Sequence, residues 1–385
     1  MKKILLILPS LKKGGGVERV ATLLANKLEK YNYKISILTF YDFKRSYSFN
    51  KIRKETLNEK ETTNTFVKLH KLFYRAYKIK KISDKNNVDI VISFMEDANF
   101  PSILARILFK MSSKLLISSH CNPYLNSKIY QILVTVLYNK SDKIITVSKG
   151  IANVFKRDFN LSAKKITTIY NPIDFEIINK KIDETLNSKH KKLFSKKYFK
   201  FISLGRLSYE KNHLSTIKAF SEIKQKFPHS RLFIIGNGPQ RQKLKRRIFD
   251  LKLEKDVFLL GLQSNPFKFL KHSDCFIFNS VSEGFGLSIV EALASSLPVI
   301  SSDCNFGPSE ILCKSYSMQQ TNIIRKCDFG ILAPVNNAQM LSKAMEIVIT
   351  NDKLRLKLKK SSLKQARNFH IKDIITKWVK IIETN

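Results

Sequence analysis

The chain has 385 residues, 43% of them hydrophobic, which excludes wholesale disorder and exceeds what one ordinary core accommodates, so two domains are expected. Lysine and arginine number 69 against 31 acids, a formal charge of +38; that balance points to anionic partners such as nucleotides, nucleic acid or an acidic membrane, and a lysine bias spread along the whole chain is the simpler alternative. The five cysteines (Cys121, Cys275, Cys304, Cys313, Cys327) form no Cys-x-x-Cys pair and leave one over, so neither a zinc site nor a disulfide scaffold is indicated and a reducing cytoplasm fits.

Met1-Lys2-Lys3 and the apolar residues 4–8 resemble a signal peptide only superficially, because the run is too short and Pro9 follows it. No stretch of about 18 uncharged apolar residues occurs to span a membrane. Residues 3–8 read instead as a buried strand. Gly14-Gly15-Gly16 follows, then a helix over 17–30 and a strand over 35–40. This strand, glycine loop, helix and strand open a doubly wound α/β domain, without the spacing of the dinucleotide-binding Gly-x-Gly-x-x-Gly fingerprint. Residues 41–65 are polar and read as loop.

Residues 66–81 have helical apolar spacing interleaved with Lys68, Lys71, Arg75, Lys78, Lys80 and Lys81, and residues 101–116 repeat the pattern with Arg106, Lys110 and Lys114. A basic amphipathic helix with aromatics lies well on an anionic membrane; it equally describes a surface helix packed on its own domain. Strands are expected over 89–94, 114–119, 142–147 and 165–170, with Ser148 capping a helix through Phe155. His120-Cys121-Asn122-Pro123 follows the second of these strands, where open α/β sheets place ligands.

Residues 176–199 are lysine-dense without a strong apolar period and read as linker, so the domains are expected at 1–175 and 200–367, with a terminal segment 368–385. The second domain starts with a strand over 201–204 and the loop Gly205-Arg206-Leu207-Ser208-Tyr209-Glu210-Lys211-Asn212, ahead of a helix over 213–226. Arginine offers a fixed fork of donors and lysine a mobile point charge, so Arg206 and Lys211 can converge on one diphosphate across that turn. A strand over 231–235 ends in Gly236-Asn237-Gly238-Pro239; a helix over 242–251, a strand over 257–260 and a short helix over 265–271 follow.

The stretch 274–302 organises the domain. A strand over 275–279 leads into Glu283-Gly284-Phe285-Gly286, a helix over 287–294 and a strand over 299–301. Two glycines admit close approach to the backbone, and the free N–H groups of the helix start attract anions or hydroxyls. Glu283 stands on the loop, and Glu291 lies one turn below Leu287 on the same helix face. Gly307-Pro308-Ser309-Glu310, a short strand over 330–334 and a basic helical tail over 338–385 complete the chain.

Glu283, seven residues and Glu291, enclosing Gly-Phe-Gly-Leu-Ser, resembles the paired-glutamate signature of the retaining, nucleotide-sugar-dependent glycosyltransferases of family 4. The resemblance extends to Gly15-Gly16-Val17-Glu18, His120, Asn171-Pro172-Ile173-Asp174, the Gly205–Asn212 loop, the Gly236–Pro239 turn and Gly307–Glu310. It implies a GT-B fold: two Rossmann-like doubly wound α/β domains facing a central cleft, with a last helix crossing back to the first domain. It also implies donor binding by Gly15, Gly16, Arg206, Lys211, Gly236, Gly238, Phe285, Gly286, Leu287 and Glu291, and catalytic roles for Glu283, His120, Arg206 and Lys211. Glu291 would hold the ribose hydroxyls, Glu283 the donor sugar, and the two cations the leaving diphosphate.

No Asp-x-Asp occurs, so positive side chains rather than a metal are expected at the diphosphate, and no cofactor is expected beyond a nucleotide-sugar co-substrate, by resemblance a UDP-sugar. Glycosidase-style retention uses two carboxyls about 5 Å apart; the resemblance instead implies front-face displacement assisted by the leaving phosphate, so Glu283 is not assigned as a nucleophile. The expected acceptor is a lipid-linked or growing glycan at the inner face of the cell membrane. Two rivals remain from the residues alone: a basic nucleic-acid-binding protein, which lacks any recognisable reading motif here, and a nucleotide-sugar-modifying, epimerase-like enzyme of the same fold.

Overall fold

The computed structural model describes residues 1–43, 46, 47, 49, 51–125 and 127–384. It divides into two compact units, one of Met1–Pro172 with Ile371–Asn385 and one of Ile173–His370.

Runs of residues buried over all or nearly all their length make the inner strands, as parallel strands covered on both faces require. In the first unit β1 (Lys3–Leu8) leads through α1 (Gly16–Glu29) to β2 (Lys34–Thr39) and β3 (Arg53–Thr56). Then come α2 (Thr65–Asn86), β4 (Ile90–Phe94), α3 (Glu96–Phe109), β5 (Lys114–Ser119), α4 (Lys128–Leu137), β6 (Lys143–Thr146), α5 (Lys149–Arg157) and β7 (Ile166–Thr168). The sheet order is β3-β2-β1-β4-β5-β6-β7, all parallel. α1 turns Val20, Ala21, Leu24, Ala25 and Leu28 inward at helical spacing. Ser148 caps α5 as expected, its hydroxyl accepting from the Ile151 N–H at 3.3 Å.

The second unit contains α6 (Phe175–Ile182), α7 (Ser188–Leu193), β8 (Phe199–Leu204), α8 (His213–Lys226), β9 (Ser230–Ile235), α9 (Arg241–Asp250), β10 (Val257–Gly261) and α10 (Phe267–Lys271). It continues with β11 (Cys275–Phe278), α11 (Leu287–Ala294), β12 (Val299–Ser302), α12 (Pro308–Leu312), β13 (Arg325–Lys326), β14 (Ile331–Ala333), α13 (Ala338–Thr350) and α14 (Asp352–Arg367). Its sheet runs β10-β9-β8-β11-β12-β14-β13, parallel except for the β13–β14 pair. The last helix, α15 (Ile371–Glu383), returns to the first unit and adds Ile371, Ile374, Ile375, Trp378, Ile381 and Ile382 to its core, with Trp378 6.3 Å from the Phe94 ring.

Several expectations are corrected. The loop at 41–65 contains β3, an edge strand paired to β2 from Ser36↔Arg53 to Thr39↔Thr56; its residues Arg-Lys-Glu-Thr carry no apolar alternation to reveal it. The second basic helix is α3, which starts at Glu96 and takes Pro101 into its interior, so 114–116 belong to β5 alone. Arg75 does not face solvent with the other α2 cations. It is buried over the Phe40 ring and holds Glu59 with Nε–Oε1 at 3.0 Å and Nη2–Oε2 at 2.8 Å.

The segment 176–199 is not bare linker, because Asp174 caps α6 through the Glu176 N–H at 2.9 Å and Ile178 is buried. Cys313 and Cys327 form a disulfide, where no pairing was expected. The chain between them folds back so that the Phe329 N–H reaches the Leu312 carbonyl at 3.0 Å, and Cα–Cα falls to 4.9 Å. Among the described residues no helix is long and apolar enough to cross a membrane.

Candidate functional site

The order of the second sheet reverses between β8 and β11: the chain winds outward to β9 and β10 on one side, and to β12 and β14 on the other. Loops leaving the carboxyl ends of two such strands part there, and the crevice left behind is where open α/β sheets bind ligands. The loops at 205–212 and 279–286 leave this point.

The first loop is locked by its neighbour. The Gly205 N–H donates to Ile235 O (3.0 Å), the Leu207 N–H to Asn237 O (3.0 Å) and the Gln240 N–H to Leu207 O (2.9 Å). A Cβ at Gly236 would stand 1.8 Å from the Gly205 carbonyl oxygen, so only glycine lets these backbones meet. Arg206 is exposed on the loop. Lys211 ends a 3₁₀ turn just before α8. Glu210 between them has its carboxyl held below the usual range, first by the Ser208 hydroxyl and its own N–H, then by the charges of Arg206 and Lys211.

The second loop is pinned by backbone bonds. The Val281 N–H donates to Glu210 O (2.8 Å), the Glu283 N–H to Asn305 O (2.7 Å) and the Phe306 N–H to Glu283 O (2.7 Å). Gly307, at φ +103°, packs so closely that a Cβ there would lie 1.8 Å from the Phe285 carbonyl oxygen. The carboxylate so positioned meets the first loop: Glu283 pairs with the Lys211 ammonium and accepts from the Ser280 hydroxyl at 2.6 Å. Lys211 Nζ also lies over the Phe278 ring, 5.4 Å from its centroid. Burial, followed by the charge of Glu283, pushes the Cys304 thiol up and keeps it neutral.

Gly286 caps α11 in the left-handed region. The backbone of Phe285, Gly286 and Leu287 therefore forms the helix start, while the Phe285 ring is buried edge-on against Phe369 at 5.5 Å. Glu291, one turn on, is 3% exposed among Ile289, Val290, Ala292 and Leu293. A solvated helix face is therefore excluded for it.

The other expected residues lie in the first unit. Gly15 and Gly16 begin α1, and the Glu18 carboxylate lies over Gly15, 1.8 Å from where a Cβ would stand. His120 follows β5; its Nε2 is 2.9 Å from Ser118 Oγ, its buried Nδ1 has no partner, and burial lowers its pKa to about 3, so the ring is neutral at pH 7. The structure thus places Arg206, Lys211, Gly236, Gly238, Glu283, Phe285, Gly286, Leu287 and Glu291 along the carboxyl edge of one sheet, and Gly15, Gly16 and His120 along that of the other. Ser280 and Asn305, which hold the Glu283 loop, were missed from sequence; the spacing of Ser280 three residues before Glu283 was the only available signal.

The model for glycosyl transferases group 1 matches residues 184–365 and that for glycosyltransferase family 4 matches residues 14–177. An uncharacterised glycosyltransferase of Methanocaldococcus jannaschii is 32% identical over 384 residues, covering 91% of this chain and 93% of that one. The N-acetylgalactosamine-N,N′-diacetylbacillosaminyl-diphospho-undecaprenol 4-alpha-N-acetylgalactosaminyltransferase of Campylobacter jejuni is 30% identical over 377 residues, 96% of either chain. The Anabaena protein HepE, crystallised with UDP and glucose, superposes with a TM-score of 0.78 at 19% identity over 99% of both chains, a likeness of fold. With the paired glutamates, the Arg206–Lys211 loop and two doubly wound sheets in place, the chain belongs to glycosyltransferase family 4 and has the GT-B fold.

Proposed function

We propose that this glycosyltransferase moves a hexose or N-acetylhexosamine from a UDP-sugar, with retention at the anomeric carbon, to a lipid-linked or growing-glycan acceptor in cell-surface polysaccharide or lipopolysaccharide synthesis. The observation that carries the reading is the meeting of Lys211 and Glu283 at the switch point of the second sheet, beside the exposed Arg206 and the start of α11. A cation held against a carboxylate can serve a diphosphate on one side while the carboxylate takes sugar hydroxyls on the other. Arg206, Lys211 and the amides of residues 285–287 then offset the charge that grows on the leaving diphosphate, the work a divalent ion does in other transferases. The acceptor attacks from the face the diphosphate leaves, and its hydroxyl proton passes to a phosphate oxygen.

The lipid-linked acceptor is supported by the Campylobacter relative, whose name states transfer onto a diphospho-undecaprenol-linked sugar. The uridine base is supported by the UDP in the Anabaena complex. A thermal-shift panel tests the donor: UDP at about 100 times its Kd stabilises the fold by about 2.7 kcal/mol, and GDP and ADP do so far less. A chain indifferent to all three would sink the reading.

A membrane surface as the place of action is supported by the first unit. α2 leaves Phe66 86% exposed and Leu69, Phe73 and Tyr77 exposed beside Lys68 and Lys81; α4 leaves Ile129, Ile132 and Val136 exposed beside Lys128. Apolar side chains that no part of the unit covers, flanked by cations, suit an anionic bilayer surface, where each basic residue contributes about 1 kcal/mol. Phosphatidylserine-containing vesicles are therefore expected to co-sediment the protein at least roughly tenfold better than neutral ones, with the excess lost in high salt. Equal partition into both would remove the membrane from the proposal.

A further inference from the structure

Strand β10 is an edge of the second sheet, paired on one side to β9 and on the other, among the described residues, to nothing. The Leu232 N–H takes Asp256 O at 2.9 Å, so the alternation of a parallel ladder points the Val257 carbonyl and the Leu259 N–H away from β9. Open groups of this kind pair readily with another extended chain. A groove of about 530 Å³ runs beside them: residues 257–260 line it, with α7 on one flank and α9 on the other. The flanks lie on opposite faces of the sheet. The Phe258 ring stacks on Phe233 at 5.3 Å, and that ring on Phe194 at 3.9 Å, just after α7. Val257 faces the other way and shares a core with Leu244 and Ile248 of α9.

Both flanks are basic. α9 reads Arg-Gln-Lys-Leu-Lys-Arg-Arg-Ile-Phe-Asp, five cations with one acid, and α7 adds Lys189, Lys191 and Lys192 with none. Elsewhere on the unit lysines are matched, as Lys224 is with Asp256 and Lys226 with Glu346, each at 2.7 Å. Among the described residues the three cations that line the groove, Lys189, Arg241 and Lys245, have no carboxylate partner, and Glu254 is the one acid beside them. Arg241 Nη2 reaches Leu259 O only at 3.5 Å, a contact that a carboxylate outcompetes. Apolar groups lie between the charges: Phe249 is 68% exposed and Leu193 is half-buried.

A second copy of the chain is a poor occupant, because pairing β10 with itself about a two-fold axis would set the cations of one α9 against those of the other. A bilayer is flat and stops at the helices, short of the strand between them. We propose that β10 is the docking edge for an extended acidic segment of another protein. The segment adds a strand there, its carboxylates meeting Arg241 and Lys245 on the α9 side and its alternate apolar residues packing against Leu193 and Phe258 on the α7 side. The surface lies in the second unit alone, with β9 and β8 between it and the loops of the switch point. It does not depend on the donor or acceptor of the transferase.

The test is fluorescence anisotropy of the full chain with a labelled octapeptide alternating glutamate and valine, at about 0.15 M salt. Three control peptides are each expected to bind at least roughly tenfold more weakly. One carries lysine in place of glutamate; one carries serine in place of valine, which keeps the charge and removes the apolar face; one is the glutamate–valine peptide N-methylated throughout, which keeps the side chains and cannot pair with the edge. Lys245→Glu alters an exposed side chain and is expected to melt with wild type, yet to bind the glutamate–valine peptide at least roughly tenfold more weakly. Equal binding of the serine or the N-methylated peptide overturns the proposal. So does a glutamate–valine peptide that fails to bind while single-stranded DNA or phosphatidylserine vesicles bind and are released by Lys245→Glu, which would make the surface one for another class of partner. A dimer of the chain in solution that Lys245→Glu alters would put a second copy on the strand and overturn it as well.

Discussion

Lys211→Ala is expected to lower kcat about 10²–10³-fold, the loss seen when one preorganised donor to a developing negative charge is removed. The residue has two partners, one present and one proposed, and the experiment must tell them apart. In the structure it pairs with Glu283, both side chains being largely covered. Removing the lysine leaves Glu283 with the Ser280 hydroxyl but no cation at contact, so some stability is lost along with rate. Were that pair the whole of its role, Lys211→Ala with Glu283→Gln would restore the stability and transfer no more slowly than Glu283→Gln alone, since the stranded charge would be gone.

If Lys211 carries the leaving diphosphate, the double variant recovers stability and remains about 10²–10³-fold slower than Glu283→Gln alone. Lys211→Arg, which keeps the charge and changes its shape, is expected to fall between. A double variant that transfers as fast as Glu283→Gln alone would remove Lys211 from the diphosphate and leave it as a partner of Glu283 only.

Much of this site was legible because it is local. Gly236 and Gly238 stand in one turn, and the helix start at 285–287 lies between the two glutamates on a single strand–loop–helix unit. What could not be read is whatever the sheet order decides. Lys211 and Glu283 are 72 residues apart and meet only because β11 pairs with β8 and not with β10, its predecessor in the chain. Side-chain burial is equally non-local: Arg75 looks like one more surface cation in a basic helix until Glu59, from the loop before it, closes over it. The same holds for β3, whose polar edge residues show no alternation, and for the Cys313–Cys327 pair, which a fold-back brings together across 14 residues.

α4, where no element was expected from the sequence, buries only Val134 despite its apolar residues and leaves Ile129 72% exposed.

Glu291→Ala is expected to abolish most of the stabilisation by UDP. Glu291 is 3% exposed on α11, and a side chain so buried accepts from ribose hydroxyls with less of the ordering cost a surface glutamate would meet. Hydrogen bonds to a charged group contribute about 1.5–3 kcal/mol each, so losing two weakens UDP roughly hundredfold or more. At a UDP concentration about 100 times the wild-type Kd, the stabilisation then falls from about 2.7 kcal/mol to about 0.4 kcal/mol. The comparison is made on the ligand-induced shift of each variant against its own free state, because emptying a buried position alters the free protein as well. Glu291→Gln serves as the second arm: it keeps the volume and one acceptor oxygen, so its free state should melt close to wild type while its UDP shift is reduced. A full UDP shift in both variants would show that the ribose is held elsewhere and that the buried carboxylate serves the packing of α11 alone.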